Sequence, residues 1–365
     1  MRKNLIISIG VFILLGISIF VIKNPTDKNE KNISSNISNG YKIVDKDLNT
    51  EIVLPYKDVS SYASVNDDLY LSVADNSPSR MGNKVIKFNR KSKKAETIFE
   101  TKFDQSSVQG VVANDKWLSW VDSDDLGDQV NIYAMNLKNR KIISITKEND
   151  KSVSNGFPTV SGDYISWVSH EVNTNKSYVM LRNLKEKNNE KISEVKNHSW
   201  QNDMVSMMDN NLLFTDSNDK KWYLYIYDIA EKKKKKIETK SKNIGWSKLL
   251  NDHQVVYLTF AKDTDFMNQL ILHDIKNNFE KKLSGDKYIN IGDITLDDKN
   301  NVFVSENEGF KQYKINENSI NENSFTKKDV LDYKDVFKIV VSNGVYLIVT
   351  EDSKLNNGLI ITSKI

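Results

Sequence analysis

Large apolar residues alternate with small or polar ones in short runs that return at a steady interval. DKWLSWVDS (Asp115 to Ser123) and GDYISWVSH (Gly162 to His170) align without a gap at a spacing of 47 residues. DLYLSVAD (Asp68 to Asp75) precedes the first by the same 47, and NLLFTDS (Asn211 to Ser217) follows the second by 47. Leu71, Leu118, Ile165 and Leu212 therefore share one position, and Val73, Trp120, Trp167 and Phe214 share another. Alternation over five or six residues, opened by Asn-Asp, Gly-Asp or Asn-Asn, predicts a strand that follows a tight turn. Weaker copies at HQVVYLTF (His253 to Phe260), NNVFVSEN (Asn300 to Asn307) and NGVYLIVTED (Asn343 to Asp352) bring the series to seven.

Between copies a second pattern repeats: a strand, a charged turn and another strand. QVNIYAMNLKNRKIISIT (Gln129 to Thr146), KSYVMLRNLKEKNNEKIS (Lys176 to Ser193), KWYLYIYDIAEKKKKKIE (Lys221 to Glu238) and NQLILHDIKNNFEKKLS (Asn268 to Ser284) all fit it. Each unit is then four short strands, and residues 41–365 show no amphipathic helix pattern. A four-strand unit repeating every ~40 to 50 residues predicts an all-β fold, a seven-bladed β-propeller of four-stranded blades. The ends fit closure of a ring. The last copy is followed only by LIITSKI (Leu359 to Ile365), which leaves that blade without its outermost strand. The body opens with YKIVDKDLNTEIVLP (Tyr41 to Pro55), which holds two candidate strands where one would suffice to remove the free edge.

Upstream of this body the pattern changes. Residues 5–22, LIISIGVFILLGISIFVI, form an 18-residue apolar run. At about 1.5 Å per residue this crosses most of a ~30 Å hydrocarbon core. Arg2 and Lys3 precede it, which places the N-terminus in the cytoplasm and the body outside. No small-x-small cleavage pattern follows Ile22, so residues 1–23 are expected to be an uncleaved signal-anchor helix rather than a signal peptide. Residues 24–40, NPTDKNEKNISSNISNG, have the composition of a flexible polar linker, and residues 41–365 make the propeller domain.

Charge narrows the partners. The chain of 365 residues has a formal charge of +3, but residues 1–40 hold five basic and two acidic residues, leaving 47 of each sign beyond them. A formally neutral body, in a chain with only five Arg, lacks the field and the bidentate forks that nucleic-acid binding uses, so no nucleic-acid partner is expected. The dense run Lys232 to Lys236 reads as a solvated hairpin turn, with a polyanion contact as the other reading. Cysteine is absent, which excludes disulfides, thiolate metal sites and a cysteine nucleophile.

PTVSGDYISWV (Pro158 to Val168), followed by YVMLRNLKEKNNEKI, resembles the blade pattern of the TolB-like and prolyl-oligopeptidase-type propellers. The resemblance covers most of residues 57–365 as a period and is sharp in two or three blades. Where that family often has Trp-Ser-Pro-Asp-Gly at the start of the innermost strand, this chain has Ser199-Trp200-Gln201-Asn202-Asp203 and Gly245-Trp246-Ser247-Lys248. The resemblance implies the fold and a bacterial surface setting. It implies no peptidase activity, because no Gly-x-Ser-x-Gly is present.

Chemistry is sparse. The four histidines, His170, His198, His253 and His273, stand in no close ligand spacing. The acidic loop DSDDLGD reads either as a plain solvated hairpin or as a metal site, with Asp122, Asp124 and Asp128 as calcium ligands around Gly127, although it departs from EF-hand order at Leu126. No other cofactor is expected. Trp200, Trp246, Tyr288 and Tyr333 recur at spacings of 46, 42 and 45 before the innermost strands. Two readings stand: packing between blades, or an aromatic funnel with Asn202, Asp203 and Asp332 as polar contacts. The expected function is a membrane-anchored extracytoplasmic binding or scaffold module with an envelope protein or glycan as ligand. The alternative is a carbohydrate-active hydrolase or lyase using carboxylates gathered in a central funnel.

Overall fold

The computed structural model describes residues 42–46, 49–53, 58–74, 82–104, 106–124, 126–148, 150–199, 203–218, 221–241, 243–261, 267–296, 301–306, 309–315, 325–331, 336–342, 345–350 and 359–362. For residues 42–58, 292–293 and 305 onward it describes the backbone alone. The expected anchor and linker lie outside the described residues, among which no helix is long and apolar enough to cross a membrane.

A hairpin of β1 (Lys42–Lys46) and β2 (Asn49–Val53) comes first. Antiparallel sheets then follow in chain order. The first sheet is β3 (Asp58–Val65), β4 (Asp68–Ala74), β5 (Lys84–Asn89) and β6 (Lys94–Glu100). The second is β7 (Ser106–Ala113), β8 (Trp117–Asp124), β9 (Val130–Asn136) and β10 (Ile142–Ser144). In the third, β11 (Val153–Asn155) and β12 (Thr159–Ser161) both pair with β13 (Tyr164–Glu171), which leads to β14 (Lys176–Asn183) and β15 (Glu190–Val195). The fourth is β16 (Ser206–Met208), β17 (Asn211–Asn218), β18 (Lys221–Asp228) and β19 (Lys233–Ile237). The fifth is β20 (Ile244–Leu249), β21 (Gln254–Phe260), β22 (Asn268–Asp274) and β23 (Phe279–Lys282). The sixth is β24 (Ile291–Leu296), β25 (Asn301–Glu306), β26 (Gly309–Ile315) and β27 (Phe325–Leu331). The last is β28 (Val336–Ser342), β29 (Val345–Thr350) and β30 (Leu359–Thr362).

Innermost strands of neighbouring sheets lie side by side: β3 with β7, β7 with β12, β12 with β16, β16 with β20, and β24 with β28. β28 in turn lies against β3, so the sheets stand around an axis and the last meets the first. β2 lies beside β30, in the place of the fourth strand that the last sheet lacks. The two candidate N-terminal strands are thereby told apart: β2 covers β30, and β1 pairs only with β2. Outer strands elsewhere carry their own protection against edge pairing, as in KAETIFE, EKISEV, KKKKI and FEKK, whereas β30 is LIIT.

The core sits between sheets. Leu118 and Trp120 pack with Tyr70 and Val85 of the first sheet. One repeat later Ile165 and Trp167 pack with Ile132 and Val130 of the second, and Leu212 and Phe214 pack with Val179 and Leu181 of the third. The residues 47 apart thus do the same job, each filling the interface to the preceding sheet. The second strands are buried on both faces, so β8 is buried throughout except at its last residue. That explains the serine in Ser-Trp-Val: Ser119 and Ser166 are fully buried and donate to the carbonyls of Tyr133 and Met180 at 2.7 and 2.6 Å, which satisfies each hydroxyl inside the core. The lysine run is only partly a turn: Lys232 sits at the turn with φ 54°, and Lys233 to Lys236 form most of the outer strand β19.

Candidate functional site

In an antiparallel four-strand meander, the second-to-third turns and the links to the next sheet emerge at one end, here termed the connection face. Among the described residues the exposed large apolar side chains are Leu126, Ile142, Val172, Met267 and Tyr288. Leu126, Val172 and Met267 lie on second-to-third connections and Tyr288 on the link from β23 to β24. Only Ile142 lies elsewhere, at the start of the outer strand β10. Loops at one end of a rigid scaffold are where binding residues concentrate, and the other four side chains stand on four such loops.

Over the fifth sheet the connection face opens into a cleft of about 650 Å³. Lys240, Ser241 and Asn243 from the link before β20, Gln269 from β22, Lys281 and Lys282 from β23, and Tyr288 line it. Beneath lies a buried network. His273 and Glu280 face each other across the β22–β23 hairpin, and Nδ1 of His273 is 3.0 Å from Oε1 of Glu280. The same oxygen accepts the Tyr257 hydroxyl at 2.9 Å and the backbone N–H of Lys240 at 2.9 Å. Burial pushes the Glu280 carboxyl up, but the hydrogen bonds from His273, Lys240 and Tyr257 outweigh it and hold the group below the usual carboxylate range. Burial raises Tyr257 far above an ordinary phenol, with the Glu280 charge adding to it, so this hydroxyl stays protonated. The network clamps the link before β20 to the sheet and keeps Glu280 ionised.

A second cluster sits at the same face between the third and fourth sheets. The rings of His170 and His198 stack with centroids 5.3 Å apart and planes at 17°. Nδ1 of His170 is 2.8 Å from the Ser177 hydroxyl, and Nε2 of His198 is 2.9 Å from Oδ1 of Asp203. Burial, and then the neighbouring His198, lower the His170 pKa. A Cβ on Gly156 would lie 2.8 Å from both the carbonyl and the Oδ1 of Asp203, so glycine permits this close approach.

The residues singled out in the sequence distribute as follows. Trp200, Asn202, Asp332 and Tyr333 lie outside the described residues. Asp203 is engaged by His198. Tyr288 is exposed at the cleft. Trp246 is not on a loop: it lies within β20, where a register shift between Ile244 and Ser247 turns it onto the core between the fifth and sixth sheets. The acidic loop does not gather its carboxylates. Asp122 is fully buried in β8, accepting the Thr101 hydroxyl at 2.6 Å. Asp124 accepts the backbone N–H of Gln129 at 3.2 Å, and Asp128 is exposed. Among the described residues no three His, Cys, Asp or Glu side chains assemble into a metal-holding group. Asp216, at the same repeat position as Asp122 two repeats on, accepts the N–H groups of Lys196 and Asn197 at 3.1 and 3.2 Å. Both acids tie the incoming link to the second strand.

Known structures with this arrangement are β-propellers. The propeller domain of the Trilobed protease from Pyrococcus furiosus, with an open velcro topology, matches at a TM-score of 0.60 and 11% identity over 83% of this chain and 92% of that one. The fold is a β-propeller. A manganese complex of oligogalacturonate lyase matches this propeller at 0.61 and 10% identity, covering 89% and 96% of the two chains. YCF48 bound to the D1 peptide matches at 0.55 and 9% identity, covering 92% and 100%. Such likeness places the propeller type seen in the repeat among these folds without assigning it an activity. No protein-family model and no curated protein matches the sequence.

Proposed function

We propose that the chain is a seven-bladed propeller, held outside the membrane by residues 5–22 through the linker 24–40, whose connection face binds an envelope protein or glycan. The observation that carries this reading is that four of the five exposed large apolar side chains among the described residues, Leu126, Val172, Met267 and Tyr288, stand on loops of that face. β2 beside β30 supplies the last blade's outer strand and so supports the count.

The entry point of the chain supports the tether. Four residues join Val53 to Asp58 at the connection end of the innermost strand β3, a reach of at most about 17 Å. Lys42 pairs with Val53, so the chain enters the propeller near the same face. An anchor upstream, joined through the linker 24–40, would keep the body near the membrane without fixing its orientation. Among structures of similar shape, YCF48 is bound to the D1 peptide and another is an oligogalacturonate lyase, so a peptide or a sugar ligand fits the fold.

The enzyme reading has one observation in its favour, the Tyr257–Glu280–His273 network under the cleft. An ionised carboxylate could serve as a base or nucleophile, but Oε1 of Glu280 is already engaged by His273, Tyr257 and the Lys240 N–H and the side chain is only 8% exposed, so the binding reading fits better.

The test is capture of an envelope component by the full chain in neutral detergent. A variant with Leu126→Ser, Val172→Ser, Met267→Ser and Tyr288→Ser should lose the component that wild type and Ile142→Ser retain, with an unchanged melting temperature. Equal capture by all three would overturn the reading.

A further inference from the structure

We propose that the cleft over the fifth sheet takes an anionic oligosaccharide, a chain of carboxylate-bearing sugars, with Lys240 and Lys282 meeting the carboxylates and Tyr288 supplying a ring face for a sugar. The proposal rests on reading the connection face as the binding face and names the chemistry of one part of it. The cleft is lined by three lysines, Lys240, Lys281 and Lys282, against a single acid, Glu280. Oε1 of that acid is turned to His273, Tyr257 and the Lys240 N–H, and its side chain is only 8% exposed. With Asp286 beside Lys282 counted as well, three lysines against two acids leave one net positive charge at the cleft, although the body as a whole is neutral.

The remaining lining suits a polar, hydroxylated ligand. Ser241, Asn243 and Thr259 stand among the lining side chains, and Tyr288 is 40% exposed beside them. An amphipathic ring with an accessible face and hydroxyl or amide groups around it is what a sugar needs, since a pyranose presents one apolar face and a polar rim. Lys282 holds Asp286 at 3.1 Å, with Asp286 almost wholly exposed. An exposed pair of this kind is worth about 0 to 1 kcal/mol and yields readily to a ligand carboxylate. About 650 Å³ accommodates a few sugar units. A lipid headgroup would use the lysines but not the ring face, so the saccharide is the better fit.

The test is calorimetry on the full chain in neutral detergent, with tetragalacturonate as probe, galactotetraose as its neutral counterpart, and inorganic phosphate and anionic-lipid vesicles as further arms. Tetragalacturonate should bind in a salt-sensitive manner, with galactotetraose weaker by about tenfold or more. Lys240→Gln and Lys282→Gln should each weaken the acidic sugar several-fold and Tyr288→Ala by about tenfold. Lys235→Gln, on the outer strand of the fourth sheet, should leave it unchanged. Melting curves of these exposed-site variants, matching wild type, guard against unfolding. Equal binding of acidic and neutral sugars, binding to phosphate or vesicles alone, or affinity indifferent to the cleft variants would each overturn the proposal. If an envelope component needs the apolar loop tips yet ignores Lys240 and Lys282, the cleft assignment falls and the binding face stands. If tetragalacturonate is cleaved, the non-enzymatic reading falls and the cleft assignment stands.

Discussion

Replacing Asp122 with Asn should stabilise the protein at neutral pH and do nothing for it in acid. The carboxyl is fully buried in β8, and its hydrogen bond from Thr101 only partly offsets the loss of water, so burial pushes its pKa up from 3.8 to about 6. The unfolded chain releases this proton near pH 4 and the folded chain near pH 6. Between those values the unfolded state binds fewer protons, so the contribution of Asp122 to stability falls as pH rises and levels off above about 6. A shift of about two units at 1.36 kcal/mol each is about 3 kcal/mol lost by pH 7.5. Asn keeps an acceptor for Thr101 and carries no charge, but it brings an N–H₂ group that the buried site must accommodate. A net gain of about 1 to 3 kcal/mol at pH 7.5 is expected, a rise of a few degrees in melting temperature, shrinking towards zero at pH 4.5. The assay is a pair of thermal melts, variant minus wild type, at each pH, with and without calcium. A variant less stable than wild type at pH 7.5, or a difference that does not change between pH 4.5 and 7.5, would refute the reasoning. If calcium stabilised wild type and not the variant, Asp122 would be a metal ligand after all.

Trp246→Ala should cost about 3 kcal/mol in chemical denaturation, because the ring packs on the core between the fifth and sixth sheets; a variant that melts like wild type but no longer binds ligand would restore the recognition reading. Tyr257→Phe should cost about 2 kcal/mol by removing a donor to an ionised buried carboxylate, read from urea midpoints. Glu280 has a folded pKa held below its ordinary 4.5, so its contribution is present above that value and is lost as pH falls through the folded one; Glu280→Gln should flatten this part of the acid limb of a stability–pH curve. A chain lacking residues 1–53 should aggregate or melt lower, since β30 would lose β2 as its neighbour; light scattering unchanged on truncation would argue against β2 as the closing strand.

The architecture was legible because its unit is short and its second strand is buried on both faces. Any sequence that fills one such interface must fill the next in the same register, which is why Trp120, Trp167 and Phe214 fall 47 apart and occupy equivalent cores. The same spacing links Asp122 to Asp216, which stands at the same position two repeats on with Ser169 between, and both acids accept hydrogen bonds from the incoming link. Trp246 was misplaced because a bulge has no strong signature in one sequence: Gly245 precedes it, and a Cβ there would meet the Phe260 ring, so the glycine marks the distortion only once the strand is known. The cleft was missed for a different reason. Its network joins Tyr257, His273 and Glu280 from three strands, and only the facing of His273 and Glu280 across the charged turn of HDIKNNFE was accessible from hairpin geometry. Nothing in local pattern shows that Tyr257 shares their oxygen.

Photo-crosslinking in the living cell tests the central claim most directly. A photoreactive residue placed singly at Leu126, Val172 or Met267 should trap a partner or glycan, whereas the same group at Ile142, away from the connection face, should trap none. Crosslinks from Ile142 with none from the other three would contradict the assignment of the connection face as the binding face.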